Sequence, residues 1–312
     1  MSAIELDGKV AVVTGAGTGL GRAYACALAE AGAGVVVNDI DEGAAAETVS
    51  LIGAAGGKAA IEVGAVGGTE VAEALVARAV SDFGRLDAMV TNAGVLRDGV
   101  LWKMSDEDFD LVIETHLRGT FTCARAAARQ LREQGEGGRI VVVGSPAGQR
   151  GNFGQTNYAA AKAGIVAFAR TWAMELARAE ITVNAIVPTA WTKMTATIPI
   201  YANVADAANA GESLPATLRR AHAIGYPQDS AGLVVFLLSE AGREVTGQAI
   251  GIGGDKLSMW SHPTEVSSAF NPGGWSPEEI AEAWSTTVGT ARQDFGIDLP
   301  PLELDGAAGS AD

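Results

Sequence analysis

The sequence predicts an α/β fold built on a doubly wound parallel sheet, with helices covering both faces. Short runs rich in valine and isoleucine alternate with alanine-rich stretches of helical length through the first 254 residues, as in repeated strand–helix units. The chain of 312 residues contains 40 glycines and only 6% aromatic residues, so small side chains are available where helices pack closely on a sheet. We expect one domain at 1–254 and a C-terminal extension at 255–312 that packs on it.

Strands are predicted where β-branched runs end in small or polar residues, at 9–13, 34–39, 58–63, 86–91, 139–143, 181–187 and 248–252. Helices are expected after the first strand as far as Ala31, and at 69–82, 105–133, 156–177, 230–238 and from Pro277 onward. Between 188 and 222 the periodicity is lost, and we expect a mobile loop or lid over a site. The end of the chain, 306–312, is expected to be frayed.

Composition and charge argue against several functional classes. The net charge of −15 disfavours a nucleic-acid partner or a bare anionic membrane. No segment has the length and apolar character of a membrane span, and the first nine residues lack the pattern of a signal peptide. The two cysteines, Cys26 and Cys123, lie in predicted helices and form neither a disulfide framework nor a metal-ligand spacing. We expect a soluble cytoplasmic protein with no bound metal.

A glycine-rich turn, Thr14–Gly21, joins the first strand to the first helix. Its glycines permit positive φ and close backbone approach, and the helix start offers free N–H groups and a positive dipole end to a pyrophosphate. The alternative is a merely tight connection. The strand–turn–helix context favours the nucleotide, and the predicted contacts are Gly15, Thr18, Gly19, Leu20 and Gly21.

The second strand ends in Asp39, at about the distance where an acidic residue accepts hydrogen bonds from the adenosine ribose hydroxyls. Its carboxylate would repel a 2′-phosphate, so we infer NAD over NADP. The alternative is that Asp39, or Asp41 after it, caps the helix that starts near Glu42. Both roles are compatible.

Small residues, Asn92-Ala93-Gly94, end the fourth strand. At the carboxyl end of a central strand they would let a ring lie close, which is where open α/β sheets bind ligands. A simple strand-ending turn is the alternative.

Tyr158 and Lys162 are four residues apart in a predicted helix and therefore share one face. A unit charge about 4 Å away at an effective dielectric near 20 is worth roughly 4 kcal/mol, enough to lower the ordinary phenol pKa of about 10 by up to about three units. Such a tyrosine would exchange protons near neutrality. Taken alone, the pair is most often part of a solvated face.

Taken together and in order, the glycine turn, Asn92-Ala93-Gly94, Ser145 and Tyr158-Lys162 resemble the short-chain dehydrogenase/reductase family over residues 8–254. The resemblance implies a Rossmann fold that binds a nicotinamide dinucleotide. It implies that Tyr158 is the general acid/base, that Lys162 lowers its pKa and holds the nicotinamide ribose, and that Ser145 hydrogen-bonds the substrate oxygen. It adds Pro188 and Thr192 as cofactor contacts. A cap at the end of a strand is the other interpretation of the serine.

Three stretches, 92–98, 116–119 and 151–158, resemble more narrowly the (3R)-hydroxyacyl-CoA dehydrogenase part of peroxisomal multifunctional enzymes. This similarity implies oxidation of a (3R)-3-hydroxyacyl-CoA to the 3-oxoacyl-CoA. The alternatives are a 3-oxoacyl-ACP reductase, a 17β-hydroxysteroid dehydrogenase and, more remotely, a nucleotide-binding protein without turnover. The resemblance also implies a homodimer or homotetramer paired through the helices at 105–133 and 156–177.

The chain departs from the family pattern at four positions. His116 replaces an asparagine that holds a water in the proton relay, and its ring either takes over that hydrogen bonding or is packed and inert. Gly64 stands in place of an adenine-contacting aspartate, Thr189 in place of a glycine, and Pro146 follows Ser145. Candidate contacts for CoA phosphates are the cations Arg97, Lys103, Arg118, Arg150 and Lys193.

Overall fold

The computed structural model describes residues 3–192, 195–197, 199–297, 299–300 and 302. In these residues one sheet of eight strands has the order β3-β2-β1-β4-β5-β6-β7-β8. The strands are β1 Val10–Val13, β2 Gly34–Asp39, β3 Lys58–Val63, β4 Ala88–Thr91, β5 Gly138–Val143, β6 Ile181–Pro188, β7 Ala249–Gly253 and β8 Lys256–Trp260. The first seven are parallel and agree within two residues with the predicted positions. The eighth runs antiparallel to β7 and was not predicted.

Helices cover both faces, as the doubly wound prediction requires. They are α1 Gly19–Glu30, α2 Glu42–Ala54, α3 Thr69–Phe83, α4 Asp106–Val112, α5 Gly119–Gln134, α6 Pro146–Arg150, α7 Thr156–Leu176, α8 Ala202–Asn209, α9 Ala216–Arg220, α10 Pro227–Leu238 and α11 Pro277–Trp284. Helices α1, α2 and α10 contribute to one core cluster, and α3, α5 and α7 contribute to the other.

The alternation of side chains along a strand explains why two cores form. In β1, Ala11 and Val13 point into the first cluster, whereas Val10 and Val12 point into the second. A strand buried on both faces needs apolar residues at every position, because successive side chains point to opposite faces of the sheet. This requirement is the reason that the strands read as uninterrupted valine-rich runs.

The strand order reverses direction between β1 and β4. In open α/β sheets the loops at such a switch point leave in opposite directions and open a crevice at the carboxyl ends of the strands. The glycine turn follows β1 and Asn92 follows β4, so the two predicted nucleotide contacts border this crevice.

The helix predicted at 105–133 is interrupted. Between α4 and α5 the chain makes a π-helical stretch, Ile113–Arg118, which contains His116. Insertions of this kind inside α-helices are frequent at functional sites.

The segment 188–222, for which we expected a mobile loop or lid over a site, contains secondary structure in its described residues. Helices α8 and α9 lie in this segment, and its apolar residues form a third core cluster that includes Trp191, Tyr201 and Leu218. Trp191 also donates from Nε1 to Asn209 Oδ1 at 3.0 Å. The aperiodic sequence arises because the helices are short, so neither is long enough to show a period.

The extension begins with β8 and then leaves the sheet. Near its end the extension contacts α6, where the Gly296 N–H donates to the Arg150 carbonyl oxygen at 2.7 Å. Residues 306–312, predicted to be frayed, lie outside the described residues. No helix in the described part of the chain combines the length and the apolar character needed to cross a membrane.

Candidate active site

A cavity of about 910 Å³ opens at the carboxyl ends of the central strands. Every residue predicted to be catalytic or to bind the cofactor lines it, with the exception of Gly21. The structure thus brings together the glycine turn, Asp39, the 92–94 turn, Ser145, Tyr158, Lys162 and His116, with Pro188 and Thr192 at the end of β6.

The glycine turn is shaped by close backbone contacts. Gly15 has φ +60°, and a Cβ at this position would lie 2.7 Å from Ala93 Cα. Gly21 is outside the cavity because it faces inward, where a Cβ would collide with the Gly15 carbonyl oxygen. Gly21 therefore permits close packing of α1 on the turn, while Gly19, with φ +55°, faces the cavity below Thr192.

Asn92 braces the glycine turn from β4. Its side-chain amide donates to the carbonyl oxygens of Thr14 and Gly15 at 3.1 Å, and its backbone N–H donates to Thr14 Oγ1 at 3.0 Å. These bonds join the two sides of the crevice. The 92–94 segment is accordingly more than a strand-ending turn, because it fixes the floor of the cavity.

Asp39 and Asp41 divide the two roles that the sequence left open. Asp41 caps α2 by accepting the Ala44 N–H at 3.0 Å. Asp39 instead accepts the Gly17 N–H at 2.9 Å and lines the cavity beside the turn. The carboxylate is therefore held where it meets a ligand seated on the glycine turn.

Ser145 and Tyr158 come from neighbouring elements that pack without space between them. Ser145 is the N-cap of α6, where Pro146 occupies the first helical position and Oγ accepts the Ala147 N–H at 3.2 Å. A Cβ on Gly148 of α6 would lie 2.6 Å from the backbone of Lys162 in α7. Pro146 thus starts a short helix that turns Ser145 toward α7, and the cap interpretation of Ser145 holds together with its place in the cavity.

The start of α7 is anchored by Asn157, which is fully buried. Its side-chain amide donates to the Arg97 carbonyl oxygen at 2.9 Å and to the Asp108 carbonyl oxygen at 3.2 Å. Its Oδ1 accepts the Tyr158 N–H at 2.7 Å. These hydrogen bonds of Asn157 fix the first turn of α7 and therefore the backbone position of Tyr158.

The expected lowering of the Tyr158 pKa is wrong for this structure. Burial raises the pKa of Tyr158, and the hydrogen bond with Ser145 lowers it by less. Lys162 Nζ lies 5.6 Å from the centroid of the phenol ring and donates to the Val143 carbonyl oxygen at 2.6 Å. The ammonium is directed at β5, and the loss of solvation around the phenol sets the direction of the Tyr158 pKa shift.

Lys162 is itself strongly perturbed. Its side chain is 3% exposed, and burial lowers the pKa of its ammonium to about 7. A buried lysine that titrates near neutrality in a cleft is a mark of functional sites. The helix face that holds Tyr158 and Lys162 is therefore buried in the site and is not a solvated face.

His116 is a packed, neutral ring. Its edge meets the Tyr158 ring at 88° with centroids 5.2 Å apart. Burial, together with the charge on Lys162, lowers the pKa of His116 to about 3. Nε2 lies 2.8 Å from the Val95 carbonyl oxygen and 3.0 Å from the Val95 nitrogen, while Nδ1 is buried without a partner among the described residues. The ring supports Tyr158 from the π-helical stretch.

The structure adds cavity residues that the sequence did not reveal. Tyr201 and His222 come from the third core cluster and its border, and Tyr201 Oη lies 3.0 Å from His222 Nδ1. Ile297 and Leu299 come from the extension. No local pattern marks these four residues, because they reach the cavity through tertiary packing.

The other positions that depart from the family pattern, and the cations predicted to contact CoA phosphates, can be located in the structure. Gly64 lines the cavity, and Thr189 continues the β6–β7 pairing by donating to the Ile252 carbonyl oxygen at 2.9 Å. Among the cations, Arg97 also lines the cavity, whereas Lys193 lies outside the described residues. No cluster of three histidine, cysteine or acidic side chains suited to a metal occurs in the described chain.

The residues present fit a dinucleotide. A Cβ at Gly19 would meet only Thr192 Cγ2, at 3.9 Å, and Thr18 provides no side-chain cap for the first N–H groups of α1. These N–H groups and the helix dipole suit a pyrophosphate, and Asp39 suits a ribose. At the other end of the cavity lie a serine and a tyrosine hydroxyl beside a buried lysine, a set able to hold and deprotonate an alcohol.

Comparison with known proteins gives a consistent result. The family model described as short chain dehydrogenase matches residues 9–200. The chain is 42% identical to hydroxyacyl-CoA dehydrogenase ChsB1 of Mycobacterium tuberculosis, over 88% of this chain and 87% of that protein. It is 46% identical to peroxisomal multifunctional enzyme type 2 of Drosophila melanogaster over 62% of this chain, which corresponds to 33% of that longer protein.

A reductase and a solved structure extend the comparison. The chain is 38% identical to the 3-oxoacyl-[acyl-carrier-protein] reductase of Thermotoga maritima, over 80% of this chain and 98% of that protein. A short chain dehydrogenase structure from Mycobacterium avium superposes with a TM-score of 0.79 at 37% identity, covering 97% of this chain and 99% of that one. The chain belongs to the short-chain dehydrogenase family, whose members use NAD or NADP, and it is an oxidoreductase that acts on CH–OH groups.

Proposed function

We propose that this enzyme oxidises (3R)-3-hydroxyacyl-CoA thioesters to 3-oxoacyl-CoA with NAD. The observation that carries the proposal is the meeting of Ser145, Tyr158 and Lys162 in one cavity with the glycine turn and Asp39. The substrate class is supported by the ChsB1 relative, which is named a hydroxyacyl-CoA dehydrogenase and is similar along most of the chain. Such a reaction belongs to β-oxidation of fatty acids or sterol side chains. The cytoplasmic location of the protein stays a prediction.

Each side chain has a separate task in this scheme. When bound, the nicotinamide supplies the hydride acceptor. Tyr158 receives the hydroxyl proton of the substrate as the C3–H bond breaks, and Ser145 holds the same oxygen by a hydrogen bond. Tyr158 must be the tyrosinate to accept this proton, and Lys162 stabilises that anion when its own side chain is protonated.

His116 has a positioning role in the proposal. With a pKa of about 3 the ring stays neutral at working pH, so it cannot carry the proton as an imidazolium. Its edge-on contact fixes the plane of Tyr158. The side chain thus orients the acid/base without exchanging the proton itself.

Asp39 carries the preference for NAD. The carboxylate would accept hydrogen bonds from a ribose diol, whereas a 2′-phosphate would bring like charges together. The second candidate, a 3-oxoacyl-ACP reductase, is favoured by the similarity to the Thermotoga maritima enzyme over nearly its whole length. A 17β-hydroxysteroid dehydrogenase would use the same catalytic residues on a free alcohol.

Initial rates discriminate these activities. NAD and NADP are supplied separately with (3R)- and (3S)-3-hydroxyacyl-CoA, with the matching ACP thioesters and with 17β-hydroxysteroids. The proposal predicts turnover of the (3R) CoA thioester with NAD. Turnover confined to ACP thioesters with NADP, or to free steroids, would replace it with one of the alternatives, and no turnover of any substrate would favour a nucleotide-binding protein.

We also propose a homodimer or homotetramer that pairs through α5 and α7. These helices carry a partly exposed aromatic cluster in which Phe121 lies 6.5 Å from Phe168, and Phe168 stacks on Trp172 at 4.4 Å. Met174 on the same helix as Trp172 is 74% exposed. Light scattering at micromolar concentration should give a multiple of the 31.8 kDa chain mass, and a monomer mass would contradict the pairing.

A further inference from the structure

Large apolar side chains are exposed on two segments that adjoin the cavity-lining residues Asp98, Asn152 and Gln155. Leu101, Trp102 and Phe153 are 71%, 76% and 85% exposed, and Lys103 beside them is also exposed. We refer to these four residues as the rim patch. Large apolar side chains exposed on neighbouring segments commonly mark a binding site.

The rim patch is tied to the mouth of the cavity. Gly99 pairs with Gln155, and the Gly99 N–H donates to the Gly154 carbonyl oxygen at 2.8 Å. Gln155 Nε2 donates to Asp98 Oδ2 at 3.1 Å, and both of these side chains line the cavity. Trp102 and Phe153 therefore flank a fixed loop pair that lies one helical turn from Tyr158.

Lys103 differs from the other predicted phosphate contacts. Arg97 lies 3.5 Å from Asp108, Arg118 lies 3.2 Å from Glu114, and Arg150 donates to the Gly296 carbonyl oxygen at 3.2 Å. Lys103 forms no side-chain hydrogen bond or ion pair with any described part of the chain. On a protein of net charge −15, an exposed cation in the segment that follows the cavity-lining Asp98 is where an anionic ligand would be attracted.

We propose that the rim patch binds the adenosine 3′-phosphate diphosphate end of CoA, with Trp102 stacked on the adenine and Lys103 paired with a phosphate. This inference rests on the proposed function and names the part of the protein that recognises the carrier. An indole and an adenine stack through their faces, and the ammonium supplies the local positive charge. The pantetheine arm then runs over the loop pair and brings the acyl group to Ser145 and Tyr158.

The experiment compares two carriers for one acyl group. A (3R)-3-hydroxyacyl-CoA is measured beside the same acyl group on N-acetylcysteamine, which keeps the thioester and lacks the nucleotide. Trp102→Ala should lower the ratio of kcat/KM for the CoA thioester over the N-acetylcysteamine thioester by about tenfold, through KM. Lys103→Ala should lower the ratio by about threefold, and Lys103→Arg should restore it.

Phe270→Ala is the matched control, because Phe270 in the extension is 92% exposed and lies outside the rim patch. Its ratio of kcat/KM for the CoA thioester over the N-acetylcysteamine thioester should equal that of the wild type. An unchanged ratio in both Trp102→Ala and Lys103→Ala would overturn the inference. So would a Trp102→Ala protein whose mass in solution falls while the ratio stays the same, since the rim patch would then contact a second copy of the chain.

The wild-type protein separates failure of the inference from failure of the proposed function. If it oxidises both thioesters with equal kcat/KM, the function stands and nucleotide recognition by the rim patch is excluded. If it oxidises neither thioester but turns over a free alcohol, the proposed function itself is overturned.

Discussion

Replacing Lys162 with methionine should stabilise the free protein while it abolishes oxidation. The buried ammonium has a pKa of about 7, against an ordinary 10.5. At about 1.36 kcal/mol for each pH unit, this difference makes the protonated lysine destabilise the fold by about 5 kcal/mol below pH 7. Methionine has a similar length and no charge, and its loss of the bond to the Val143 carbonyl oxygen costs about 1 kcal/mol.

The sign of the pH dependence follows from proton binding. Between pH 7 and 10.5 the unfolded chain holds a proton on Lys162 that the folded chain has partly released, so wild-type stability rises with pH in this window. Lys162→Met lacks this dependence. The variant should exceed the wild type in free energy of unfolding by about 3 kcal/mol at pH 7 and by about 1 kcal/mol at pH 9.

Urea unfolding at pH 7 and pH 9, without added nucleotide, measures both differences. Lys58→Met is the control, because Lys58 is exposed on β3 and its charge is solvated in both states. A Lys162→Met protein that is less stable than the wild type at both pH values would refute the argument. A stabilisation of equal size at both pH values would refute it as well, since the burial of the charge would not be its cause.

Three further predictions concern the cofactor end and the acid/base. Asp39→Asn keeps an oxygen for the Gly17 N–H and removes the charge, so the preference for NAD over NADP in kcat/KM should fall about tenfold; an unchanged preference would contradict the role of the carboxylate. Gly94→Ala places a Cβ against the His116 ring, so NADH titrations should show weaker binding of the nucleotide. Adding His116→Ala should partly restore the binding, and a lack of rescue would exclude this collision as the cause. Oxidation should accelerate with rising pH beyond the ordinary phenol pKa, because Tyr158 must lose a proton that burial retains; a flat alkaline profile would argue against Tyr158 as the base.

The sheet could be predicted because its signals are local. A strand buried on both faces must be apolar throughout, and the valine runs at β1, β2 and β5 report this directly. The glycine turn and the 92–94 turn likewise carry their geometry in the residue types. These signals sufficed to assemble the nucleotide end of the cavity and the face shared by Tyr158 and Lys162.

Other features depend on packing and could not be predicted. The strand β8 follows its neighbour after a tight turn, and its apolar residues Leu257 and Met259 are exposed, so nothing in its pattern indicates burial. The raised pKa of Tyr158 follows from burial of its hydroxyl, which residue spacing does not determine. Ile297 reaches the cavity from a segment nearly 140 residues after Tyr158, and sequence proximity gives no indication of this contact.

The most direct test of the central claim is the fate of a racemic 3-hydroxyacyl-CoA incubated with the enzyme and excess NAD. Chiral analysis of the residual thioester is compared between the wild type and Tyr158→Phe, with NADH formation followed in parallel. We expect the wild type to consume the (3R) form, to leave the (3S) form and to produce one NADH for each thioester oxidised, whereas the variant should leave both forms. Unreacted thioester that stays racemic, or that is enriched in the (3R) form, would contradict the proposed oxidation of the (3R) thioester.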